Sequence, residues 1–304
     1  MMQGTIAPYS VGELLRDWRV RRRLSQLDLA MEAGVSTKHL SFLETGRSVP
    51  SRDMLLRLAE CMKIPLRERN VLLTSAGYAP MFRERSLEDP DLAIARESIE
   101  AVLKAHEPFP ALAVDRHWML IAGNQALYRL VAGADPLLLQ PPINVLRLSL
   151  HPAGLAPRIA NLREWREHVI NRLRQQIDLC GDARLAELLK EIQDYPLPPG
   201  APPPRARKPF ENIIIPFRLV TIDGTLSFFS TTTVFGTPVD VTLSEIAIES
   251  FYPADAETAE IMRRMANGRP VRSSEELTAS MPTHNRYPVL AGDDPPPSIV
   301  TRQH

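Results

Sequence analysis

Ser25 and Asp28 stand three residues apart at the head of an apolar run, Leu27, Leu29 and Ala30, and Ser36 heads a second run with Leu40 and Leu43. The first pair has the spacing of a capping box, with Asp in the usual Glu/Gln place. Ser36 can accept a hydrogen bond from a free backbone N–H in a first helical turn. Two short helices should therefore meet at a turn holding Gly34, with Leu27, Leu29, Ala30, Leu40 and Leu43 as a small apolar wedge between them. That is a helix-turn-helix, the arrangement that carries its second helix into a DNA major groove.

Elsewhere the residues that could do chemistry are scattered. His106, His117, His151 and His168 lack metal-ligand spacing, and the chain holds no Gly-rich phosphate loop or nucleophile elbow. Arg147 and His151 are four apart, so on a helix they share a face; they either hold a carboxylate or form a solvated surface pair. Cys61 and Cys180 belong to no C-x-x-C or Cys/His cluster, the pattern of two reduced thiols in a cytosolic protein. No enzyme, metal site or resident cofactor is expected.

At 304 residues the chain is long enough for two cores, and 44% hydrophobic with 24% charged residues suits a globular protein. The formal net charge of zero hides an asymmetry: residues 1–85 hold 14 Lys+Arg against 9 Asp+Glu, and the remainder 22 against 27. A basic head on an acidic body suits nucleic-acid binding by the head, although such a bias can also be a solvated face. Met1 to Ser10 does not resemble a signal peptide. The most apolar region, Trp118 to Leu139, is broken by Gly, Asn, Arg, Asp and Pro and is no membrane span. A cytoplasmic protein with no membrane partner is expected.

The elements that must hold the opening motif can be read in order. Ser10 with Glu13 is a full capping box, predicting a helix from Val11 to about Arg22 with Leu14, Leu15, Trp18 and Val20 inward. Gly46 should end the second helix of the motif in a left-handed conformation. Ser51 caps a fourth helix with Met54, Leu55, Leu58, Ala59 and Met62 at helical spacing. Pro65 starts a fifth, carrying Leu66, Val71, Leu72 and Leu73 and stopping near Gly77. Together these make one all-α five-helix domain over residues 1–78.

Ser-Gln-x-x-Leu-Ala, Gly-Val-Ser and Leu-Glu-x-Gly-x-x-x-Pro at these separations resemble the Cro/C1-type (XRE-family) helix-turn-helix over residues 11–77. The resemblance implies a lambda-repressor-like fold. It gives Gln26 a contact to the DNA backbone, and gives base contacts to exposed early positions of the third helix around its Ser36 cap: Thr37, Lys38, Ser41 and Phe42. The chemistry fits. Lys38 can donate to guanine O6 and N7, Thr37 and Ser41 can donate or accept, and Phe42 can touch a thymine methyl. Phe42 has a second reading as a core residue. Arg47 is placed like a phosphate contact, which positions without specifying. The family also pairs an Arg of the first helix with the Glu of Leu-Glu-x-Gly, matching Arg19 and Glu44, a structural pair.

Residues 79–107 read as a connector and linker helix, the helix starting at Asp89-Pro90, burying Leu92, Ile99, Val102 and Leu103 and suited to a dimer contact. Ala111–Asp115 and Trp118–Ala122 then form a hairpin around Arg116-His117. Asn124 opens a helix through Leu127, Leu130 and Val131. A long helix is expected from Pro157 to about Cys180 and another after Gly181-Asp182. Tyr195 to Pro209 is too proline-rich for regular structure. Ile213–Ile222 meets Thr225–Val234 across Asp223-Gly224, a strong hairpin signal, and Ile246–Phe251 is a last strand. The expected result is a five-stranded antiparallel sheet with helices on one side, an α+β layout over residues 108–265. Residues 266–304 should be a loose tail.

This part resembles the MmyB-like regulators with a PAS-like ligand-binding domain. The residues that carry the likeness are Pro110–Val114, Trp118 with Asn124-x-Ala126, Gly224-x-Leu226-Ser227, Phe235-Gly236-x-Pro238-x-Asp240–Leu243 and Phe251-x-Pro253–Asp255-x-x-Thr258. The aromatic set Phe109, Trp118, Phe217, Phe228, Phe229 and Phe235 is first of all core, and lines a pocket only where the sheet curves away from its helices. The resemblance implies such a pocket, bounded by Phe109, Trp118, Leu120, Leu127, Arg147, His151, Phe217, Phe228 and Phe235. It also implies a small apolar or acyl, fatty-acid-like ligand. The expected function is a homodimeric transcriptional regulator that binds double-stranded DNA under control of that ligand. The alternative is a ligand-independent dimeric repressor whose second domain only dimerises.

Overall fold

Four serines open four of the first five helices. Ser10, Ser25, Ser36 and Ser51 each accept from a backbone N–H three residues on, starting α1 (Val11–Arg21), α2 (Gln26–Ala33), α3 (Thr37–Glu44) and α4 (Arg52–Cys61). α5 (Leu66–Ser75) follows Pro65 without a side-chain cap. These helices belong to a computed structural model that describes residues 10–198, 215–235 and 240–268.

The five helices enclose one core, centred on Leu15, Leu29, Leu40, Leu43, Leu58 and Leu72. Each such leucine contributes about 2 kcal/mol by leaving water. Leu27 is 57% exposed and is not part of the wedge. It lies two residues from Leu29, roughly 200° around the helix, so burying Leu29, Ala30 and Ala33 turns it outward. Val20, Val71 and Val102 are exposed for the same reason, each offset from its helix's inward stripe.

A 3-10 turn over Pro90–Leu92 runs straight into α6 (Ala93–Ala105). Then come β1 (Ala111–Val114), β2 (Leu120–Gly123), α7 (Gln125–Val131), α8 (Val145–Leu150), α9 (Leu162–Cys180) and α10 (Ala183–Asp194). β3 (Phe217–Thr221), β4 (Gly224–Val234), α11 (Val241–Ser244), β5 (Ala247–Pro253) and α12 (Ala256–Ala266) complete the described chain. The sheet is five-stranded and wholly antiparallel, in the order β2-β1-β5-β4-β3. β4 is the long strand: Gly224–Phe228 pairs with β3, and Phe228–Val234 pairs with β5.

Helices cover both faces of the sheet, not one. Leu112 and Val114 of β1 join the main core with α7 to α10 and α12, while Ala111 and Ala113 pack with Ile99 and Leu103 of α6 on the other face. Successive strand residues point to opposite faces, so a fully buried β1 needs a cover on each. Asn124 ties these layers together. Its Oδ1 accepts from Ala111 N and Leu127 N, both at 3.1 Å, and its Nδ2 donates to Phe109 O at 2.7 Å and Leu103 O at 3.2 Å.

Three local expectations are corrected. α9 begins at Leu162: residues Ala156–Arg158 form a 3-10 turn, and Ile159 bridges to Leu219 of β3. Trp118 lies in the turn before β2 with a φ of +65°, held there as Asp115 Oδ1 accepts from both His117 N and Met119 N at 2.8 Å. The β3–β4 turn is Ile222-Asp223, and Gly224, at φ +132°, is already paired with Thr221. Among the described residues no helix is long and apolar enough to cross a membrane. The expected tail beyond Gly268 and most of the Tyr195–Pro209 stretch lie outside the described residues.

Candidate functional site

The helix-turn-helix is built reciprocally. Ser25 Oγ accepts from Asp28 N at 3.1 Å, and Asp28 Oδ2 accepts from Ser25 Oγ at 2.6 Å and from Ser25 N at 3.0 Å; the hydroxyl and then the backbone N–H hold the Asp28 carboxyl below its usual range. Gly34 closes α2 at φ +66°, and Ser36 Oγ accepts from His39 N at 3.1 Å to open α3.

α1 braces this unit from behind. Arg19 Nε and Nη2 donate to the two Glu44 oxygens at 2.6 and 2.9 Å, and Gln26 Nε2 donates to Glu44 Oε2 at 2.8 Å. Burial pushes the Glu44 carboxyl up, but Arg19 and Gln26 outweigh it and hold the group below its ordinary value. Arg19 Nη1 also donates to Leu24 O at 2.8 Å, so one guanidinium fixes both the entry to α2 and the end of α3. Gly12 lets the helices approach: a Cβ there would lie 2.5 Å from Leu43 O and 2.7 Å from Glu44 O. In the sequence Gly12 stands only as a position between Ser10 and Glu13 of the capping box. The signal of close approach was absent because the contact is to backbone.

On the outer side, Ser36, Lys38 and Arg47 are exposed, and Thr37, Ser41 and Phe42 are half-buried. Phe42 does not belong to the helical core. Lys38 Nζ lies 5.7 Å and Arg47 Cζ 5.9 Å from its ring centroid, which gathers two cations at one aromatic ring. Arg47 N and Ser48 N both donate to Phe42 O, at 2.9 and 3.1 Å, folding the loop after α3 back along the helix. Gln26, the gate between brace and surface, is already engaged with Glu44 through one of its two amide hydrogens.

The second set of expected residues is divided by the sheet. Trp118, Phe217 and Phe228 are buried in the main core, with Phe109, Leu120 and Leu127 packed against it. Phe235 lies with the α6 face beside Ile246 and Leu243, so it cannot line the same space. Arg147 and His151 sit at the far end of α8. Arg147 Nε and Nη2 donate to Glu191 at 2.8 and 2.7 Å, and Tyr195 Oη donates to Glu191 Oε1 at 2.5 Å. The Arg147 guanidinium holds the Glu191 carboxyl low, and burial beside Glu191 raises the Tyr195 phenol well above its usual value. His151 stacks edge-on to Tyr195 at 5.0 Å. Arg147 thus already carries a carboxylate of its own chain.

The polar group that faces the sheet was missed. Arg172 of α9 forms an ion pair with Glu249 of β5, donates to Thr232 Oγ1 of β4 at 2.8 Å, and lies 4.5 Å over the Trp118 ring. Glu249 is buried at 5% exposure. His168, one turn before Arg172, rests against Trp165 at 5.4 Å; burial and then the Arg172 charge push its imidazole down. Trp165, His168 and Arg172 recur at three- to four-residue spacing, and that shared helix face was the available signal.

A family model described as MmyB-like transcription regulator ligand binding domain matches residues 95–265, more than half of the chain, and one described as helix-turn-helix domain matches residues 10–72. Fold and site thus define a transcriptional regulator with a helix-turn-helix DNA-binding head and a separate ligand-binding domain. The chain belongs to the MmyB-like transcription regulators. It is similar to an HTH-type transcriptional regulatory protein of Methanoculleus marisnigri, 37% identical over 116 residues that make up 36% of this chain and 37% of that protein. The HTH-type transcriptional repressor RghR of Bacillus subtilis is 41% identical over 70 residues, 23% of this chain and 50% of that one. The chain therefore spans half or less of these curated relatives. Among solved structures, an RNA-binding light-oxygen-voltage receptor aligns over 84% of this chain and 63% of its own at 11% identity, with a TM-score of 0.25.

Proposed function

We propose that the chain reads an operator with the outer face of α3 and that a small apolar or acyl ligand in the second domain sets how well it does so. The observation that carries the DNA half is the Lys38–Phe42–Arg47 set, two cations gathered at one half-buried aromatic ring beside Thr37 and Ser41. In this reading Thr37, Lys38 and Ser41 contact base edges, Phe42 meets a thymine methyl, and Gln26, Ser36 and Arg47 hold phosphates. The DNA target puts this work in the cytoplasm.

For the sensor half, the strand order β2-β1-β5-β4-β3 supports a PAS-like reading. The aromatic face of Trp118, Trp165, Phe217 and Phe228 suits an acyl chain. A homodimer formed through α6 would set two copies of α3 about 34 Å apart along the duplex. Ile94 and Val102 of that helix are 78% and 46% exposed, apolar area suited to a second copy. The competing reading is a ligand-independent dimeric repressor. The close contacts Trp165–Phe217 at 4.9 Å and Phe217–Phe251 at 6.0 Å favour it, since they make this face a packed core.

Native mass spectrometry of protein taken from cells, followed by selection of bound duplexes, tests both halves. A co-purified acyl molecule whose removal changes operator affinity supports the sensor. A ligand-free dimer with the same affinity supports the second reading. Failure to enrich any duplex sequence overturns the assignment of α3.

A further inference from the structure

The head and the second domain meet along a line of charges that neither the operator nor a ligand accounts for. Arg67, in the first turn of α5, donates through Nε and Nη2 to both oxygens of Glu245 at 2.8 and 2.9 Å. Glu245 Oε1 also accepts from Arg116 Nη1 at 2.9 Å, and Arg116 Nη2 is hydrogen-bonded to Asp182. His117 Nε2 lies 2.9 Å from the same Asp182 oxygen, and Glu68 of α5 approaches Arg116 at 3.9 Å. On the neighbouring side, α1 reaches the α9–α10 turn: a Cβ on Gly181 would lie 2.4 Å from Arg21 Nη1.

The connector is bound into the same line. Asn70 of α5 accepts from Met81 N and Phe82 N at 2.9 and 3.0 Å and donates to Phe82 O at 2.7 Å. From the next residue on the chain is held by the second domain, with Val241 N donating to Arg83 O at 2.8 Å and Thr242 Oγ1 to Arg85 O at 2.5 Å. The segment between the two domains is thus fixed at both ends.

Arg116 belongs to the β1–β2 turn, and two residues on is Trp118, whose ring lies in the main core. The two are joined by one side chain. Trp118 Nε1 donates to Gln176 Oε1 at 2.8 Å, and Gln176 Nε2 donates to Arg116 O at 2.8 Å. An amide that bonds at both ends transmits a shift of one partner to the other, because neither partly buried bond can be released without cost.

We propose that Arg116 is a positioning residue for DNA binding: by bridging Glu245 to Asp182 it holds in place the carboxylate that Arg67 of the head grips, and Gln176 couples that latch to Trp118. The latch sets where α3 stands relative to the second domain, and movement of the Trp118 ring releases it. Arg116 does this with one planar guanidinium whose two ends point to carboxylates from different elements, a role that lysine cannot fill.

The test uses the full chain without added ligand. Amide exchange is followed in 66–69 and 81–85, alongside small-angle X-ray scattering and affinity for a duplex selected by the wild type. In Arg116→Gln, exchange at 81–85 should rise by about tenfold, the scattering envelope should lengthen, and duplex affinity should change by about fivefold or more. Should Arg116→Gln not fold, Glu245→Gln keeps the side-chain shape, removes the charge shared by Arg67 and Arg116, and should give the same changes. Wild-type exchange and scattering in a folded variant of either kind overturn the latch. Trp118→Phe keeps an aromatic ring at the position but removes the Nε1 donor, and should raise exchange at 81–85 in the same direction. A wild-type pattern there, with the latch variants open, overturns the coupling through Gln176.

Discussion

Arg19 and Glu44 stand 25 residues apart in the sequence and meet through two parallel hydrogen bonds behind the helix-turn-helix, with Glu44 almost wholly removed from water. The pair sets the angle between α1 and α3, and Gln26 joins it from the first turn of α2. Removing Glu44 leaves a guanidinium facing the core. Glu44→Ala should therefore destabilise the head by about 3 kcal/mol, as expected for breaking a buried pair, while Arg19→Met with Glu44→Leu should recover much of the loss. Urea unfolding of the variants checks this, and equal stabilities for Glu44→Ala and the double variant would count against it.

Gly12 offers a test in which two simple rules disagree in sign. Helix propensity favours Gly12→Ala by up to about 1 kcal/mol. The contacts oppose it, because the new Cβ would sit 2.5 Å from Leu43 O and 2.7 Å from Glu44 O, both backbone atoms that cannot turn aside. The structure predicts a loss of about 1–3 kcal/mol. Thermal unfolding decides, and a raised Tm would show that α1 and α3 can separate freely.

On the DNA face the residues separate by what they should change. Thr37→Ala and Lys38→Ala should relax sequence preference at one or two base pairs, costing about 1–3 kcal/mol on the best sequence. Arg47→Ala should weaken all duplexes alike and reduce the salt slope by about one unit. Phe42→Ala should resemble a mixture, since in the proposed reading the ring meets a thymine methyl, and it also seats Lys38 and Arg47. Binding isotherms at several salt concentrations distinguish these outcomes, and identical profiles for all four variants would reject the assignment.

The head was legible because its signals are local. Ser10, Ser25, Ser36 and Ser51 cap within three residues, and Gly34 and Gly46 take the positive φ that a tight turn needs. The Arg19–Glu44 brace was legible only through family resemblance. In the second domain the strands and their antiparallel pairing followed from alternation and turn residues, but the sharing of faces did not. α6 covers the sheet opposite α9, which moved Phe235 away from Phe217 and Phe228. Arg172, Glu249 and Thr232 come from three elements up to 77 positions apart, so no spacing rule could join them. The Arg116–Glu245–Arg67 line is more distant still, its members lying up to 178 positions apart.

His168 gives the second domain a pH dependence whose sign follows from its surroundings. The imidazole is half-buried beside Trp165, one turn from Arg172; burial and that charge both disfavour its protonated form, and Glu249 opposes them more weakly. Its folded pKa therefore lies below the value of about 6.5 that it takes in the unfolded chain. For a group depressed on folding, the unfolded chain binds the proton first as pH falls. The stability that neutral His168 contributes is fully present above about pH 6.5 and is lost as pH drops through its folded pKa. His168→Gln, which keeps a polar planar group and cannot titrate, should flatten the stability profile of the second domain between about pH 7 and pH 5. Asp182 and Glu191, both held low by their cations, titrate below that window and leave it undisturbed, Asp182 at about 2. Urea unfolding followed by Trp fluorescence at half-unit pH steps reads the difference, and parallel profiles for the two proteins would mean that the ring is solvated at this position.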